Sequence, residues 1–251
     1  MSRLTGSVAP GTQPEPPPDT GPTSPTPTGP DPAAGRATVF TADFGSARQW
    51  MAGRTSAYPR MGPTNRSDHK LDHLTVRDCS DGVFAATPRR GDDLWDCDLL
   101  TTEGSPQAFQ VRAGDVVRGR FTLPTGIGAW PALWTWRDGD NEVDLVEYHP
   151  DHPAILELSN HLGGTQLYWN DPSGEVAPGA TIDLTVVLGA HAVTWYVNGS
   201  QVFADQRGVG TSFSAYLIIN MSVSDGTYHP RPDPAHPGGL SWTCHSLTVL
   251  R

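Results

Sequence analysis

Residues 181–205 read TIDLTVVLGAHAVTWYVNGSQVFAD. The run divides into three strands, and Asn198-Gly199 joins the last two. Asn-Gly between two apolar segments is a strong hairpin signal, because both central residues of the favoured two-residue turn need a positive φ. A chain with this punctuation builds antiparallel sheet. The same texture recurs in ATVFTADFG from Ala37, in VVRGRFTLP over residues 116–124, and in SAYLIINMSVS and LSWTCHSLTVL near the end. Only residues 45–51 hint at a helical turn. Many short strands separated by turn signals predict an all-β sandwich or barrel. No repeat of a propeller or solenoid kind is visible.

Residues 1–37 have a different character. PEPPPDTGPTSPTPTGPDPAAG is rich in Pro, Thr and Gly and almost free of large apolar side chains. It cannot bury enough surface to repay its ordering entropy. A disordered linker prone to the polyproline II conformation is expected there, with one folded domain over residues 38–251. Lys plus Arg number 17 against 27 Asp plus Glu, a net charge of −10, and no basic stripe appears. Nucleic acid is therefore not the expected partner. No apolar run approaches the length of a membrane span, so no membrane partner is expected. The opening MSRLTGSVAPGTQPEPPP has no apolar core of the kind a signal peptide carries. Cys79, Cys97 and Cys244 form no CxxC pair, which argues against zinc. Cys79 and Cys97 could form a disulfide, leaving Cys244 buried in the last strand.

Residues 141–150, NEVDLVEYHP, crowd Glu142, Asp144 and Glu147 among Val143, Leu145 and Val146. On a regular strand Glu142 and Asp144 share a face, and Glu147 falls on the other. One extra residue near Leu145–Val146, a β-bulge, would turn Glu147 back. Three carboxylates on one face repel each other unless they bind a cation or share protons. Glycoside hydrolysis uses such a pair, one ionised and one protonated, on either side of a sugar linkage. An acidic solvated face, or a hard-cation site, is the competing reading of the three acids alone. The segment just upstream, GAWPALWTW over residues 128–136, puts Trp130, Trp134 and Trp136 on one face of a strand. With the turn RDGDN it makes a hairpin with the acidic strand. Indole faces beside carboxylates suit a sugar cleft, since aromatic rings stack on the apolar face of a pyranose.

GxWPAxW followed by E-[VI]-D-x-x-E resembles glycoside hydrolase family 16, the laminarinase-like enzymes. NHLGG at residues 160–164, VTWYVNGSQVF, YLIINMSVSDG and the closing LTVL extend the likeness over residues 37–251. The resemblance implies a jelly-roll β-sandwich (concanavalin A-like) with a concave glycan-binding face. It implies retaining, endo-acting hydrolysis, with Glu142 as nucleophile, Asp144 as assisting acid and Glu147 as general acid/base. Trp130 and Trp134 match aromatic residues of the glycone side, and His161 and Asn220 match polar residues near the cleft. Tyr148 either contacts sugar or packs. Two residues between Asp144 and Glu147 resemble the bulged branch, which includes β-1,3-glucanases, agarases and carrageenases. A sulfated substrate would want a basic cleft, so β-1,3-glucan is the first expectation and agar the second.

A structural calcium in the family uses an Asp of the final strand, where this chain holds His245. No cofactor is therefore expected. The segment Val223-Ser224-Asp225-Gly226, with Tyr228 and His229 after it, is expected to reshape one end of the cleft. The resemblance further implies a monomer that acts on polysaccharide outside the cell or at its surface. A non-catalytic glycan-binding module and a transglycosylase are the alternatives on the same fold.

Overall fold

The computed structural model describes residues 29–58, 63–75, 77–139 and 141–251. Residues 1–28, most of the expected linker, lie outside the described residues. The remaining part of that segment packs against the domain. Ala33 is buried, Arg36 donates through Nη1 to the Gly114 carbonyl at 2.6 Å, and Asp31 pairs with Arg118. Ala37 and Arg251 exchange two backbone hydrogen bonds.

Sixteen strands occur among the described residues. In chain order they are β1 (Thr38–Thr41), β2 (Met51–Ala52), β3 (Asp72–Thr75), β4 (Val83–Pro88), β5 (Trp95–Thr101), β6 (Gln110–Arg112), β7 (Val116–Thr122) and β8 (Ala129–Trp136). There follow β9 (Val143–Tyr148), β10 (Ile155–Asn160), β11 (Thr165–Asn170), β12 (Thr181–Leu188), β13 (Val193–Val197), β14 (Ser200–Ala204), β15 (Ser214–Val223) and β16 (Ser241–Leu250). The front layer runs β11-β10-β9-β8-β15-β5, and the back layer runs β4-β16-β7-β12-β13-β14 with β1 on β16. Strand β4 also pairs with β5, which joins the layers at one edge. All these neighbours are antiparallel; β3 adds to β5 in parallel. Residues 46–50 form a single hydrogen-bonded turn, and no helix occurs among the described residues.

Period-two patterning decides which face goes inside. Ile182, Leu184, Val186 and Leu188 of β12 are buried, and the residues between them reach the surface. Trp195, Phe121, Trp242, Leu133 and Leu158 meet them in one core between the layers. The β13–β14 hairpin turns at Asn198 and Gly199, whose φ angles of 48° and 79° are the two positive values the sequence demanded.

The bulge lies where the acids required it. Between β8 and β9, Leu133 faces Val146 and Trp134 faces Asp144, so Leu145 is the extra residue. Strand β10 registers the same shift from its other side, between Glu157 and Ser159. The Leu145 carbonyl is taken up by a donor from the back layer, the Trp195 indole N–H, at 3.1 Å. This bond spans the core and fastens the irregularity in place.

Three expectations need correction. Cys79 and Cys97 form no disulfide; both are free and buried, as is Cys244. The Cys97 thiol instead donates to Asp72 Oδ1 at 3.4 Å. Tyr148 does not face the cleft. Strand alternation turns it away from Glu147 into the core, where its hydroxyl donates to the Pro153 carbonyl at 3.1 Å. Residues 29–37, expected to belong to the disordered linker, are ordered, for the contacts of Asp31, Ala33 and Arg36 given above hold them to the back layer. His245 is the bulged residue of β16, and its Nε2 bonds Thr122 Oγ1 at 2.7 Å.

Candidate active site

The exposed face of the front layer carries the acid row. The extra residue at Leu145 brings Asp144 and Glu147 to the same face, and Glu142 stands just before β9. Asp68, Lys70, Trp130, Trp134, Glu142, Asp144, Glu147, His161, Gln166 and Asn220 surround a cavity of about 140 Å³. Of the residues expected at the site from sequence, Tyr148 and Trp136 do not line it, and the others do.

Each acid has a different environment. Burial pushes the Glu147 carboxyl up to about 8, and the charge of Asp144 adds to the rise. Its Oε1 accepts the Trp130 indole N–H at 2.7 Å, which fixes the carboxyl rotamer. Glu142 is pushed up to about 7, again by burial first and Asp144 second, while His161 and Lys70 oppose the rise. His161 Nε2 donates to Asp144 Oδ2 at 2.8 Å, and this bond raises the imidazole to about 9. The central acid is thus bound to an imidazolium, and its two neighbours hold protons more tightly than free carboxyls do.

The tryptophans are held from behind. Trp134 Nε1 donates to Asn220 Oδ1 at 2.7 Å, Asn220 Nδ2 to Ser222 Oγ at 2.8 Å, and Ser222 Oγ to Asp72 Oδ2 at 2.5 Å. Tyr58 and the Val223 amide also donate to Asp72, so this fully buried carboxyl ends a satisfied chain of hydrogen bonds. Trp136 is tied to Ser56 Oγ at 3.1 Å. The indole planes of Trp130 and Trp134 therefore form a fixed wall beside the acids.

Lys70 and Asp68 were not legible in the sequence. They come from a segment more than seventy residues upstream, with no motif around them. Lys70 Nζ donates to Asp68 Oδ2 at 2.6 Å and lies 4.5 Å from the Trp130 ring centroid. Against the cost of burial, Asp68 and Glu147 raise its pKa, so it stays charged. Gln166 was missed too; as a surface residue of β11 it carries no signal by itself.

Among the described residues, two groups of side chains have the composition of metal ligands: Glu142 with Asp144 and His161, and His149 with Asp151 and His229. In the first, His161 Nε2 is taken up by its 2.8 Å bond to Asp144 Oδ2. In the second, the two imidazole rings stack in parallel 3.4 Å apart. An ion shared by both would lie roughly 1.7 Å out of each ring plane, incompatible with an in-plane bond of about 2.0–2.1 Å.

No protein-family model matches the chain. An alignment 132 residues long is 28% identical to glucan endo-1,3-beta-glucosidase A1 of Niallia circulans, covering 41% of this chain and 19% of that protein. The chain thus spans about a fifth of the length of the curated relative it matches. Solved structures show the fold. The endo-beta-1,3-glucanase of Pyrococcus furiosus superposes with a TM-score of 0.63 at 18% identity, over 86% of this chain and 94% of that one. The catalytic domain of a laminarinase from Thermotoga petrophila gives 0.67 at 17% identity, over 86% and 98%. The laminarinase of Rhodothermus marinus gives 0.65 at 20%, over 86% and 97%. The architecture is the expected all-β jelly-roll sandwich.

Proposed function

We propose that the chain is a retaining, endo-acting glycoside hydrolase that cleaves β-1,3-glucan. The observation that carries this reading is the bulge at Leu145, which sets Asp144 and Glu147 on one face beside Trp130 and Trp134. A merely solvated acidic strand has no use for an extra residue, a buried carboxyl or an indole bonded to it. The likeness to endo-β-1,3-glucanases supports the choice of linkage.

In this mechanism Glu147 enters as the acid. Its Oε1 is engaged by the Trp130 N–H, so its proton sits on Oε2 and is free to reach the glycosidic oxygen. Glu142, whose rise is opposed by the neighbouring His161 cation, attacks the anomeric carbon as a carboxylate. The sugar–oxygen bond breaks, the leaving chain takes the Glu147 proton, and a glycosyl ester forms on Glu142. Glu147, now ionised, removes a proton from water as that water cleaves the ester. Asp144 stays bonded to His161 throughout and discourages both glutamates from ionising together. The tryptophan wall receives the sugar rings.

The test is release of reducing ends from laminarin, curdlan, mixed-linkage glucan, agarose and κ-carrageenan, with wild type beside Glu142→Gln. Release from laminarin and curdlan that vanishes in the variant is expected, with the β-anomer forming first by proton NMR. Binding of laminarin without any release would make the chain a glycan-binding module instead. Release from agarose alone would move the substrate to agar.

A further inference from the structure

A second buried cluster stands behind Glu147. His149 follows β9 directly, and His229 comes from the loop between β15 and β16. Their rings stack face to face, with centroids 3.4 Å apart and planes 6° from parallel. Asp151 Oδ2 lies 3.0 Å from His229 Nδ1, and Glu157 Oε1 lies 3.6 Å from Nε2 of each ring. The His149 ring is 1% exposed. Two imidazolium faces at this spacing repel, so the stack carries at most one charge. That charge belongs to His229. Against the cost of burial, Glu157 and Asp151 raise its proton affinity, while burial and then the His229 charge hold His149 neutral.

The cluster reaches Glu147 by two routes. Both rings meet the Trp130 indole edge-on, at 4.7 Å for His149 and 5.6 Å for His229, and this is the indole that donates to Glu147. Glu157 is also the direct partner of Glu147 across the β9–β10 ladder and is buried. Cross-strand partners on one face bring their side chains within about 5 Å, where like charges oppose each other. We propose that Glu157, His229 and His149 form a positioning unit for the general acid, in which the charge of Glu157, across the ladder from Glu147, adds to the hold on the Glu147 proton and the His229 cation limits that addition. The unit rests on the reading of Glu147 as acid/base. Other groups facing Glu147 are Asp144 of its own strand, Glu142 just before that strand, Lys70 and Asp68 before β3, Trp130 of β8, His161 after β10 and Tyr168 of β11. Those facing His229 are His149, Asp151, His152, Glu157 and Trp130.

The two charges predict opposite shifts. Glu157→Gln removes the opposing carboxylate, so Glu147 ionises more easily and the basic limb of kcat/KM moves down by roughly 0.5–1 pH unit. His229→Gln leaves Glu157 uncompensated and moves that limb up by roughly 0.5 unit. Glu157→Asp keeps the charge and restores the wild-type limb. The same shifts are read without substrate by a carbon-13 NMR titration of the Glu147 carboxyl in glutamate-labelled protein. A merely structural role lowers activity at every pH and moves neither the limb nor the titration. Shifts of equal sign in the two variants, or none in the NMR titration, overturn the proposal. If Glu157→Gln does not fold, His229→Gln decides alone: an upward shift supports the unit, and no shift or a downward one refutes it. Absence of any hydrolysis by wild type would remove the catalytic reading, and the NMR titration would then support or refute the unit by itself.

Discussion

Trp195→Phe tests whether the bulge is held from across the core. The substitution keeps an aromatic ring in a fully buried position and removes the N–H that satisfies the Leu145 carbonyl. A buried carbonyl left without a donor costs about 1–3 kcal/mol. The smaller ring adds roughly 1 kcal/mol of lost packing. The expected loss is about 2–4 kcal/mol in all. Trp242→Phe is the control, because Trp242 is equally buried, stacks on Phe121 in the same core, and has no partner for its indole nitrogen. Its loss should be at most the packing term, roughly 1 kcal/mol, because deleting an unpartnered buried N–H costs nothing. Urea unfolding of both variants measures the difference. With an m-value of about 2 kcal/mol per molar, the two midpoints should differ by roughly 0.5–1.5 M at unchanged m. Coincident midpoints would refute the argument that this bond fastens the bulge.

Burial of Glu147 makes the native state bind more protons than the unfolded chain between its ordinary value of 4.5 and about 8, so stability falls as pH rises through that window. Glu147→Gln should therefore raise Tm by more at pH 8.5 than at pH 5, as thermal scans would record; an equal gain at both would contradict it. The His161 proton works in the same direction: its bond to Asp144 stabilises fully below about 6.5 and fades through about 9. His161→Asn also removes a positive charge facing Glu142, so the acidic limb of kcat/KM should move to higher pH. All three thiols are free and buried, so dithiothreitol should leave Tm unchanged, and Ellman's reagent should find three thiols in urea and almost none in the native protein.

What the sequence made legible is local in origin. The Asn198-Gly199 turn depends on two adjacent residues, and strand faces depend on alternation over four to eight. The bulge could be inferred because three acids needed one face, a demand written within six residues. The remainder is set by partners that the chain brings in from afar. Lys70 reaches the acids from a loop, and Glu157 meets Glu147 only through the β9–β10 register. The stacked histidines are 80 residues apart in a chain that gives neither a motif. Tyr148 was ambiguous because an aromatic beside a catalytic-looking acid suits a core as well as a cleft, and the strand's direction past the bulge decides between them. The Trp195–Leu145 bond links layers whose packing no local pattern specifies.

The pairing of Ala37 with Arg251 has a mechanical meaning. Strand β1 begins where β16 ends, so Ala37 and Arg251 lie side by side on the back layer. Tension between them would peel β1 from β16 one hydrogen bond at a time instead of loading the whole ladder at once. Under pull this seam yields first, while the acid row on the front layer keeps its register. The same adjacency permits a circular permutant of residues 37–251: a short bridge from Arg251 to Ala37 and a new opening at Asn198-Gly199 would preserve every strand pairing.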